Sequence, residues 1–399
     1  MTKALTIGFL PLVDAALPIL AQEHGFAEEE GLALSFVRDV SWATVLDRLL
    51  YGHSDAAHML APLAIATTLG RGRPARAMSA PFALGLNGNA VTVTPKLAAE
   101  ILPGGGLGRP AELGKALKSA ICRRDKRLRF GVVHRYSSHN YKLRYWLAAC
   151  GIRPGEDIEI VTLAPPFAAD ALANGDVDGI CVGEPWNSAA VERGVGQIVL
   201  VTSQIWRRGV EKLLAMPTDR LEQRRDDFEA LIRAMHKAAA HFVEPKNWDA
   251  NARILAGSEY LDCPSELVRR AISDRIVLAQ GDAPTHIPDF MFQYREAANF
   301  PWASQAGWLY SQLLRWDELG FSKADFEMAM AVFRPDIYRS ALAGSQAPLP
   351  IADAKREGAI VSQQTVDTIS GELTLSPDPF FDGRSFEISE ISEYLVANN

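Results

Sequence analysis

Apolar positions follow two different periods along the first part of the chain. Short apolar runs bounded by turn residues predict β-strands, whereas an apolar residue at every third or fourth position predicts an amphipathic helix. The predicted strands cover residues 4–10, 33–40, 56–60 and 76–86, and the predicted helices cover residues 14–24, 42–52 and 62–69. This alternation of strand and helix indicates an α/β architecture with a mainly parallel sheet.

The same pattern begins again after a run of turn residues. Residues 87–89 (NGN) and a glycine-rich segment at 104–108 precede new predicted strands at 128–133, 159–163 and 179–182, with helices at 139–149 and 167–173. From residue 221 onward the pattern is mostly helical, and it ends in a predicted helix over 386–395. We therefore predict two lobes: residues 1–88 start the first, 89–203 form the second, and 204–399 return to the first with a C-terminal helical extension.

The overall charge argues against two classes of partner. Because 48 Asp and Glu residues outnumber 41 Lys and Arg residues, the formal charge is −7 at pH 7, and the surface repels nucleic acid and anionic membranes. The basic cluster at 123–129 is interpreted as a solvated helix end, and no apolar run is long enough to cross a bilayer. The chain enters its first strand without the pattern of a signal peptide, so we expect a cytoplasmic protein.

Catalytic and cofactor motifs are incomplete in this sequence. Residues 52–56 (GHSDA) lack the final glycine of a nucleophile elbow, and residues 114–116 (GKA) lack the remaining residues of a phosphate-binding loop. His53 and His58 do not have the spacing of a helical zinc pair. We therefore predict a protein that is not an enzyme and that has no metal and no cofactor.

Two predicted helix N-termini offer a place for a small anion. Ser41 precedes Trp42 at one helix start, and Ser138 is a candidate cap at another; the backbone N–H groups and the dipole at such ends favour negative charge. Across a cleft, Trp42 could be a wall or a donor, His139 a donor and Lys212 the cation. As the only cation proposed, Lys212 could be replaced with loss of anion binding but without loss of folding. The alternative is structural, with Trp42 in the core, His139 as a satisfied cap residue and Lys212 as a solvated surface lysine.

Longer motifs favour the anion site. Residues 139–149 (HNYKLRYWLAA) and 178–187 (DGICVGEPWN) resemble the nitrate- and bicarbonate-binding proteins of bacterial ABC importers, and so do residues 41–44 (SWAT) and 86–89 (LNGN), in the same order. The resemblance implies a two-lobed α/β fold of the periplasmic-binding-protein type (type II). In that fold the lobes close on the anion like a clamp.

The resemblance also implies which residues line the pocket. They are Trp42, His139, Pro165, Val182, Gly183 and Lys212, with Lys212 balancing the charge. Asn89 stands where the nitrate binders usually have glutamine, and its amide is one methylene shorter. Nitrate or nitrite is therefore the expected ligand, while the choice between these anions and bicarbonate stays open.

A cytoplasmic member of this kind resembles the NasS-type nitrate/nitrite sensors of assimilation operons. That resemblance implies a protein partner, a NasT-like RNA-binding antiterminator, which the ligand-free sensor holds and the anion releases. The partner would read the RNA, in agreement with the acidic charge of this chain. Two other interpretations stay open: a solute receptor of a nitrate or bicarbonate ABC transporter, and an enzyme on the same scaffold, for which the sequence offers no base–nucleophile pair.

Overall fold

Two mixed β-sheets flanked by helices form the framework of the protein. The computed structural model describes residues 2–317 and 319–398. The strands are β1 (Lys3–Phe9), β2 (Leu32–Arg38), β3 (Ala56–Leu60), β4 (Met78–Asn87), β5 (Asn89–Val93), β6 (Leu128–Val132), β7 (Ile158–Thr162), β8 (Gly179–Gly183), β9 (Gln197–Val201), β10 (Val210–Pro217), β11 (Arg275–Ile276), β12 (Thr285–His286), β13 (Met291–Phe292), β14 (Leu349–Pro350), β15 (Gln364–Val366), β16 (Thr368–Ser370) and β17 (Leu373–Leu375).

The helices lie between the strands and are longest in the C-terminal half. They are α1 (Ala16–Glu23), α2 (Phe26–Glu29), α3 (Trp42–Leu50), α4 (Ala61–Thr68), α5 (Pro95–Ile101), α6 (Pro110–Cys122), α7 (Ser138–Ala149), α8 (Ala168–Ala173), α9 (Trp186–Glu192), α10 (Thr202–Ile205), α11 (Thr218–Gln223), α12 (Arg225–Val243), α13 (Trp248–Leu255), α14 (Ser265–Ile272), α15 (Ala303–Trp316), α16 (Lys323–Met330), α17 (Pro335–Leu342) and α18 (Ile391–Asn398).

Each lobe is built around one sheet. The first sheet has the strand order β13-β4-β10-β3-β1-β2, and the second has the order β7-β6-β8-β5-β9. The chain leaves the first sheet at the end of β4 and enters the second with β5 directly after Gly88; it returns between β9 and β10. Two short connections therefore join the lobes.

The prediction of a mainly parallel sheet is wrong. In the first sheet β1 is parallel to β2 and β3, but β10 is antiparallel to both β3 and β4. In the second sheet β5 is antiparallel to β8 and β9, whereas β6 is parallel to β7 and β8. Helical crossovers make their own strands parallel, but β5 and β10 carry the chain from lobe to lobe and are free of that constraint.

Strand β10 lies inside the first sheet and is buried along its whole length. Its sequence VEKLLAMP places two charged residues, Glu211 and Lys212, in that buried environment. Charged side chains are rarely buried unless they are paired. The fold therefore concentrates charge at one point of the core, next to the junction of the lobes.

The C-terminal half completes the first lobe. Strand β13 pairs with β4 and forms one edge of the first sheet, and α12 packs against α1. The last helix begins at Ile391 instead of residue 386, because the backbone of Phe386 exchanges two hydrogen bonds with Glu357 at 2.9 Å and is therefore extended. Among the helices of the described ranges, none combines the length and the hydrophobicity that crossing a membrane requires.

Candidate anion site

The start of α3 contributes a tryptophan to the site. As predicted, Ser41 caps this helix: its Oγ accepts from the backbone N–H of Thr44 at 3.2 Å. Trp42 is 1% exposed, and its ring centroid lies 5.1 Å from that of His58 on β3. Its indole Nε1 is buried and has no hydrogen-bond partner among the described residues. A buried indole N–H without a partner is a donor available to a ligand.

The start of α7 contributes a histidine from the second lobe. Here the cap is Ser137, whose Oγ accepts from the N–H of Asn140, and not Ser138 as predicted. Ser138 is the first residue of α7 itself, and its Oγ donates to the carbonyl of Glu211 at 3.3 Å. His139 is completely buried, and its Nε2 has no partner within the described part of the chain.

Strand β10 places a cation between these two helix starts. The Lys212 Nζ atom lies 2.8 Å from Asp14 Oδ2 and 3.5 Å from Glu211 Oε2. It also lies 5.6 Å from the centroid of the Trp42 ring. Because Glu211 Oε2 is also 3.3 Å from His139 Nδ1, the lysine, the tryptophan and the histidine belong to one cluster. We call this set, with Asp14, Glu211, His58 and Lys142, the charged cluster.

The alternative interpretation of these three residues does not describe the structure. Lys212 is 1% exposed and ion-paired, so it is not a solvated surface lysine. His139 does not cap α7, because that position belongs to Ser137. Trp42 is buried, as the alternative expects, but its N–H faces no acceptor within residues 2–317 and 319–398.

The expectation that Lys212 is the only cation is wrong. Lys142, one turn after His139 on α7, is also completely buried; its Nζ lies 3.0 Å from Glu211 Oε1 and 3.1 Å from the carbonyl of Gly209. Its spacing from His139 puts both side chains on one face of α7. This three-residue spacing from His139 was the sequence signal that could have revealed Lys142 as a site residue.

Three further residues, Glu211, Asp14 and His58, were also missed by sequence reasoning. Asp14 lies in the turn after β1, and one carboxylate oxygen binds Lys212 while the other lies 2.8 Å from His58 Nε2. His58 is completely buried in the middle of β3, between Ala57 and Met59. A histidine inside an otherwise apolar strand was the available signal, although its partner is not visible in the sequence.

The charges in the cluster control one another. Burial alone would raise the pKa of Glu211, but Lys142 and Lys212 outweigh it and lower that pKa to about 2. Burial likewise opposes the ionisation of Asp14, yet Lys212 and His58 hold its pKa below the usual range. Burial also acts to lower the pKa of Lys212, but Asp14 and Glu211 raise it. At neutral pH both carboxyl groups and Lys212 are therefore ionised.

In the two histidines and in Lys142, by contrast, burial has a larger effect on the pKa than the neighbouring charges have. Burial lowers the pKa of both His58 and His139, and the neighbouring carboxylates do not reverse the effect. Burial also lowers the pKa of Lys142, against the attraction of Glu211. At neutral pH the two imidazole rings are therefore neutral.

Two more predicted residues meet this cluster from the second lobe. Gly183 ends β8, and a Cβ atom added there would lie 3.2 Å from Asn89 Oδ1, 3.2 Å from Leu12 of the first lobe and 3.8 Å from Asp14 Oδ2. The Asn89 Nδ2 group donates to the carbonyl of Asn87, and its Oδ1 has no partner in the described residues. The missing side chain of Gly183 thus lets the lobes approach closely.

The remaining two predicted residues lie in the same lobe as His139. Val182 is buried in β8, pairs with Ala90 of β5, and its carbonyl accepts from Asn187 Nδ2 at 2.8 Å. Pro165 is buried at the start of a 3-10 turn that follows β7. Neither residue shares a hydrogen bond with the charged cluster, so their contact with a ligand stays a prediction.

The segment after Gly183 holds the lobes together. The carbonyl of Glu184 accepts from the N–H of Val13 at 2.9 Å, and Trp186 Nε1 donates to the carbonyl of Pro11 at 3.0 Å. The Glu184 side chain is 2% exposed; burial raises its pKa to about 7, and its Oε1 has no described partner. A carboxyl group that titrates near neutral pH therefore lies at the lobe junction.

No group of three or more His, Cys, Asp or Glu side chains in the described ranges has the arrangement of a metal site. What the cluster can do is electrostatic. It combines a buried ammonium group and a free indole N–H with helix N-termini from both lobes, which suits a small anion enclosed between them.

Residues 1–256 match the model of the NMT1-like family. Over 340 residues the chain is 31% identical to the bicarbonate transport ATP-binding protein CmpC of Synechococcus elongatus, a match that covers 84% of this chain and 49% of that protein. It is 28% identical over 403 residues to the nitrate/nitrite binding protein NrtA of Nostoc sp., covering 99% of this chain and 85% of that protein. The chain spans about half the length of the ATP-binding relatives it matches.

The crystal structure of the periplasmic nitrate-binding protein NrtA from Synechocystis has the same fold. The TM-score is 0.86 at 25% sequence identity, and the superposition covers 100% of this chain and 99% of that one. The predicted two-lobed α/β fold of the periplasmic-binding-protein type is thereby confirmed.

Proposed function

Because this chain belongs to the NMT1-like family, we propose that it is a binding protein for nitrate or nitrite and not an enzyme. The observation that carries this proposal is a pair of buried ring nitrogens without described partners, Trp42 Nε1 from one lobe and His139 Nε2 from the other, beside the Lys212 ammonium group. The names of the NrtA relatives support the choice of anion.

The expected recognition uses several moderate interactions. The Lys212 Nζ and Trp42 Nε1 groups donate to the anion oxygens, and Gly183 leaves the space in which the lobes can close. A hydrogen bond to a charged group contributes about 1.5–3 kcal/mol, so two or three of them, less the cost of closing, give a dissociation constant of about a micromolar.

Calorimetry tests this anion-binding function directly. Titration with nitrate, nitrite, bicarbonate and sulfate should give dissociation constants near micromolar for nitrate or nitrite and much weaker binding of sulfate. If neither nitrate nor nitrite binds in the millimolar range, the proposal is wrong.

We further propose that the anion acts as a signal in the cytoplasm. In this account the ligand-free protein holds a NasT-like RNA-binding antiterminator, and lobe closure reduces the affinity for it. The resemblance of a cytoplasmic nitrate-binding protein to NasS-type sensors is the reason for this proposal, and the net charge of −7 is compatible with a protein that leaves RNA binding to its partner. A hundredfold change in partner affinity needs a coupling free energy of only about 2.7 kcal/mol.

The sensor role is tested on the purified complex of the two proteins. Millimolar nitrate or nitrite should dissociate it, and a Lys212→Met sensor should keep its partner in the same titration. A complex that survives both anions contradicts the sensor role, although the anion-binding function would stand.

The second candidate is the solute receptor of an importer. It is favoured by the likeness to NrtA over nearly the whole chain. Association of the loaded protein with a nitrate permease in membranes, without effect on an antiterminator, would support the receptor instead of the sensor.

A further inference from the structure

The ring of His139 has a fixed orientation in the cluster. Its Nδ1 atom lies 3.3 Å from Glu211 Oε2, and the Glu211 carboxylate also binds Lys142 and Lys212. These lysines keep Glu211 ionised, so its oxygens only accept hydrogen bonds. The proton of a neutral His139 ring must therefore be on Nδ1.

This tautomer has a consequence for the other ring nitrogen. In the neutral ring Nε2 then carries a lone pair and no hydrogen, and this atom is buried without a partner among the described residues. Nitrate and nitrite have oxygen lone pairs and no hydrogen to donate at neutral pH. A neutral His139 would therefore direct a lone pair at an anion that needs a donor, which is unfavourable in a buried site.

The charge balance of the site also favours protonation of His139 when an anion is bound. The groups that face His139 are Glu211 and Lys212 on β10, Lys142 on its own helix, Cys181 on β8 and His134 in the loop before α7. Burial raises the pKa of the Cys181 thiol and lowers that of His134 to about 4, so both are neutral at neutral pH. Lys142 lies 3.0 Å from Glu211 and Lys212 lies 2.8 Å from Asp14, so each carboxylate already has a lysine partner, and a bound monovalent anion adds a negative charge that neither pair compensates.

We propose, building on the anion-binding function above, that His139 takes up one proton from solvent when nitrate or nitrite binds. The imidazolium ring then donates from both nitrogens, with Nδ1 to Glu211 and Nε2 to the anion, and the site as a whole is neutral again. His139 is in this sense the residue that determines specificity. An anion with its own hydroxyl group, such as bicarbonate, can donate to the neutral ring, so the preference for nitrate over bicarbonate narrows as the pH rises.

Calorimetry in buffers of different ionisation enthalpy measures the protons taken up. At pH 7.5 the wild-type protein should bind close to one proton per nitrate, and the association constant should fall about tenfold between pH 7 and pH 8. Tight nitrate binding without proton uptake overturns this inference and leaves the anion-binding function intact. Failure to bind nitrate or nitrite at all overturns the function itself.

Two variants assign the proton to one ring. His236 on α12 is the matched control, because its Nδ1 is also buried without a described partner and its ring lies outside the charged cluster. His139→Gln, whose amide donates without a charge, should bind nitrate more weakly with no proton uptake, whereas His236→Gln should keep both the affinity and the uptake. Proton uptake that persists in His139→Gln overturns the assignment to His139.

Nitrogen-15 NMR spectra of the wild-type protein show which histidine ring nitrogens carry hydrogen, so this test does not require any variant to fold. In the nitrate-saturated protein both nitrogens of His139 should carry hydrogen, whereas only Nδ1 should do so without the anion. A saturated complex in which the Nε2 of His139 stays unprotonated overturns the proposal.

Discussion

At the scale of single residues, ion pairs between distant parts of the chain hold the charged cluster together. Trp42, His139 and Lys212 meet around Glu211 Oε2 and the Trp42 ring. The ion pair between Lys212 and Asp14 joins residues 198 positions apart in the chain. Such pairing depends on how the sheet is assembled, so no local pattern could have revealed it, although Trp42, His139 and Lys212 could each be named from helix starts and motifs.

The ion pairs change what the replacement of Lys212 should do. The sequence alone suggested an intact fold, but Lys212→Met leaves Asp14 and Glu211 buried with half of their compensating charge. We expect at least a hundredfold weaker nitrate binding in calorimetry and, in urea unfolding, a loss of about 3 kcal/mol or more, as measured when one partner of a buried pair is removed. Lys323→Met, at a side chain that is 84% exposed, is the control and should change neither. A stable variant with wild-type affinity would remove Lys212 from the site.

Glu184 should make the stability of the protein depend on pH. Burial raises its pKa from 4.5 to about 7, so the folded state holds the proton more tightly than the unfolded state. Its contribution is therefore complete below pH 4.5 and is lost as the pH rises to about 7, a change of about 3 kcal/mol.

Urea unfolding of Glu184→Gln at pH 4.5 and pH 8 measures this contribution. The glutamine cannot ionise, so the variant should gain about 3 kcal/mol relative to wild type between the two pH values. Glu112→Gln, at a side chain that is 70% exposed, should show no such gain. Parallel pH profiles for wild type and Glu184→Gln would contradict the account.

At the scale of elements, the sequence pattern predicted most strands of the first half and the helices α1, α3, α4, α7 and α8, but it missed α5, α6 and α9 and could not give the strand directions. The helix at Trp42 and the strand at Ala56–Leu60 begin where the sequence pattern places them. The direction of β10 follows from its role as the return connection between lobes, which only the assembled sheets make evident. The capping residue of α7 was misassigned by one position, because adjacent serines compete for it and the contact of Ser138 with Glu211 decides between them.

A substitution at Gly183, the last residue of β8, tests how closely the two lobes must approach each other when the anion binds. Gly183→Ala adds a methyl group 3.2 Å from both Asn89 Oδ1 and the Leu12 side chain, so these neighbours must move by a few tenths of an ångström. We expect about tenfold weaker nitrate binding, or about 1.4 kcal/mol, with little change in the unfolding free energy. Gly104→Ala is the matched control, since a Cβ atom there meets nothing within 4 Å. Equal affinities for the two variants would show that close contact at Gly183 is not needed.

At the scale of the whole molecule, the C-terminal segment links both lobes. The Phe380 ring stacks on Trp206 of the return connection with centroids 4.9 Å apart and lies 5.5 Å from Tyr145 on α7, while Tyr145 Oη donates to Asp382 at 2.9 Å. The sequence predicted a turn-rich tail but could not show what it covers, because these contacts connect residues that are distant in the chain. The helix that carries His139 is thus held from the side of the tail as well as from β10.

A crystal structure of the protein grown with nitrate tests the central claim most directly. The account predicts one nitrate ion between the lobes, with its oxygens within hydrogen-bond distance of Trp42 Nε1, His139 Nε2 and Lys212 Nζ. Nitrate bound elsewhere, with these three groups directed away from it, would contradict the account.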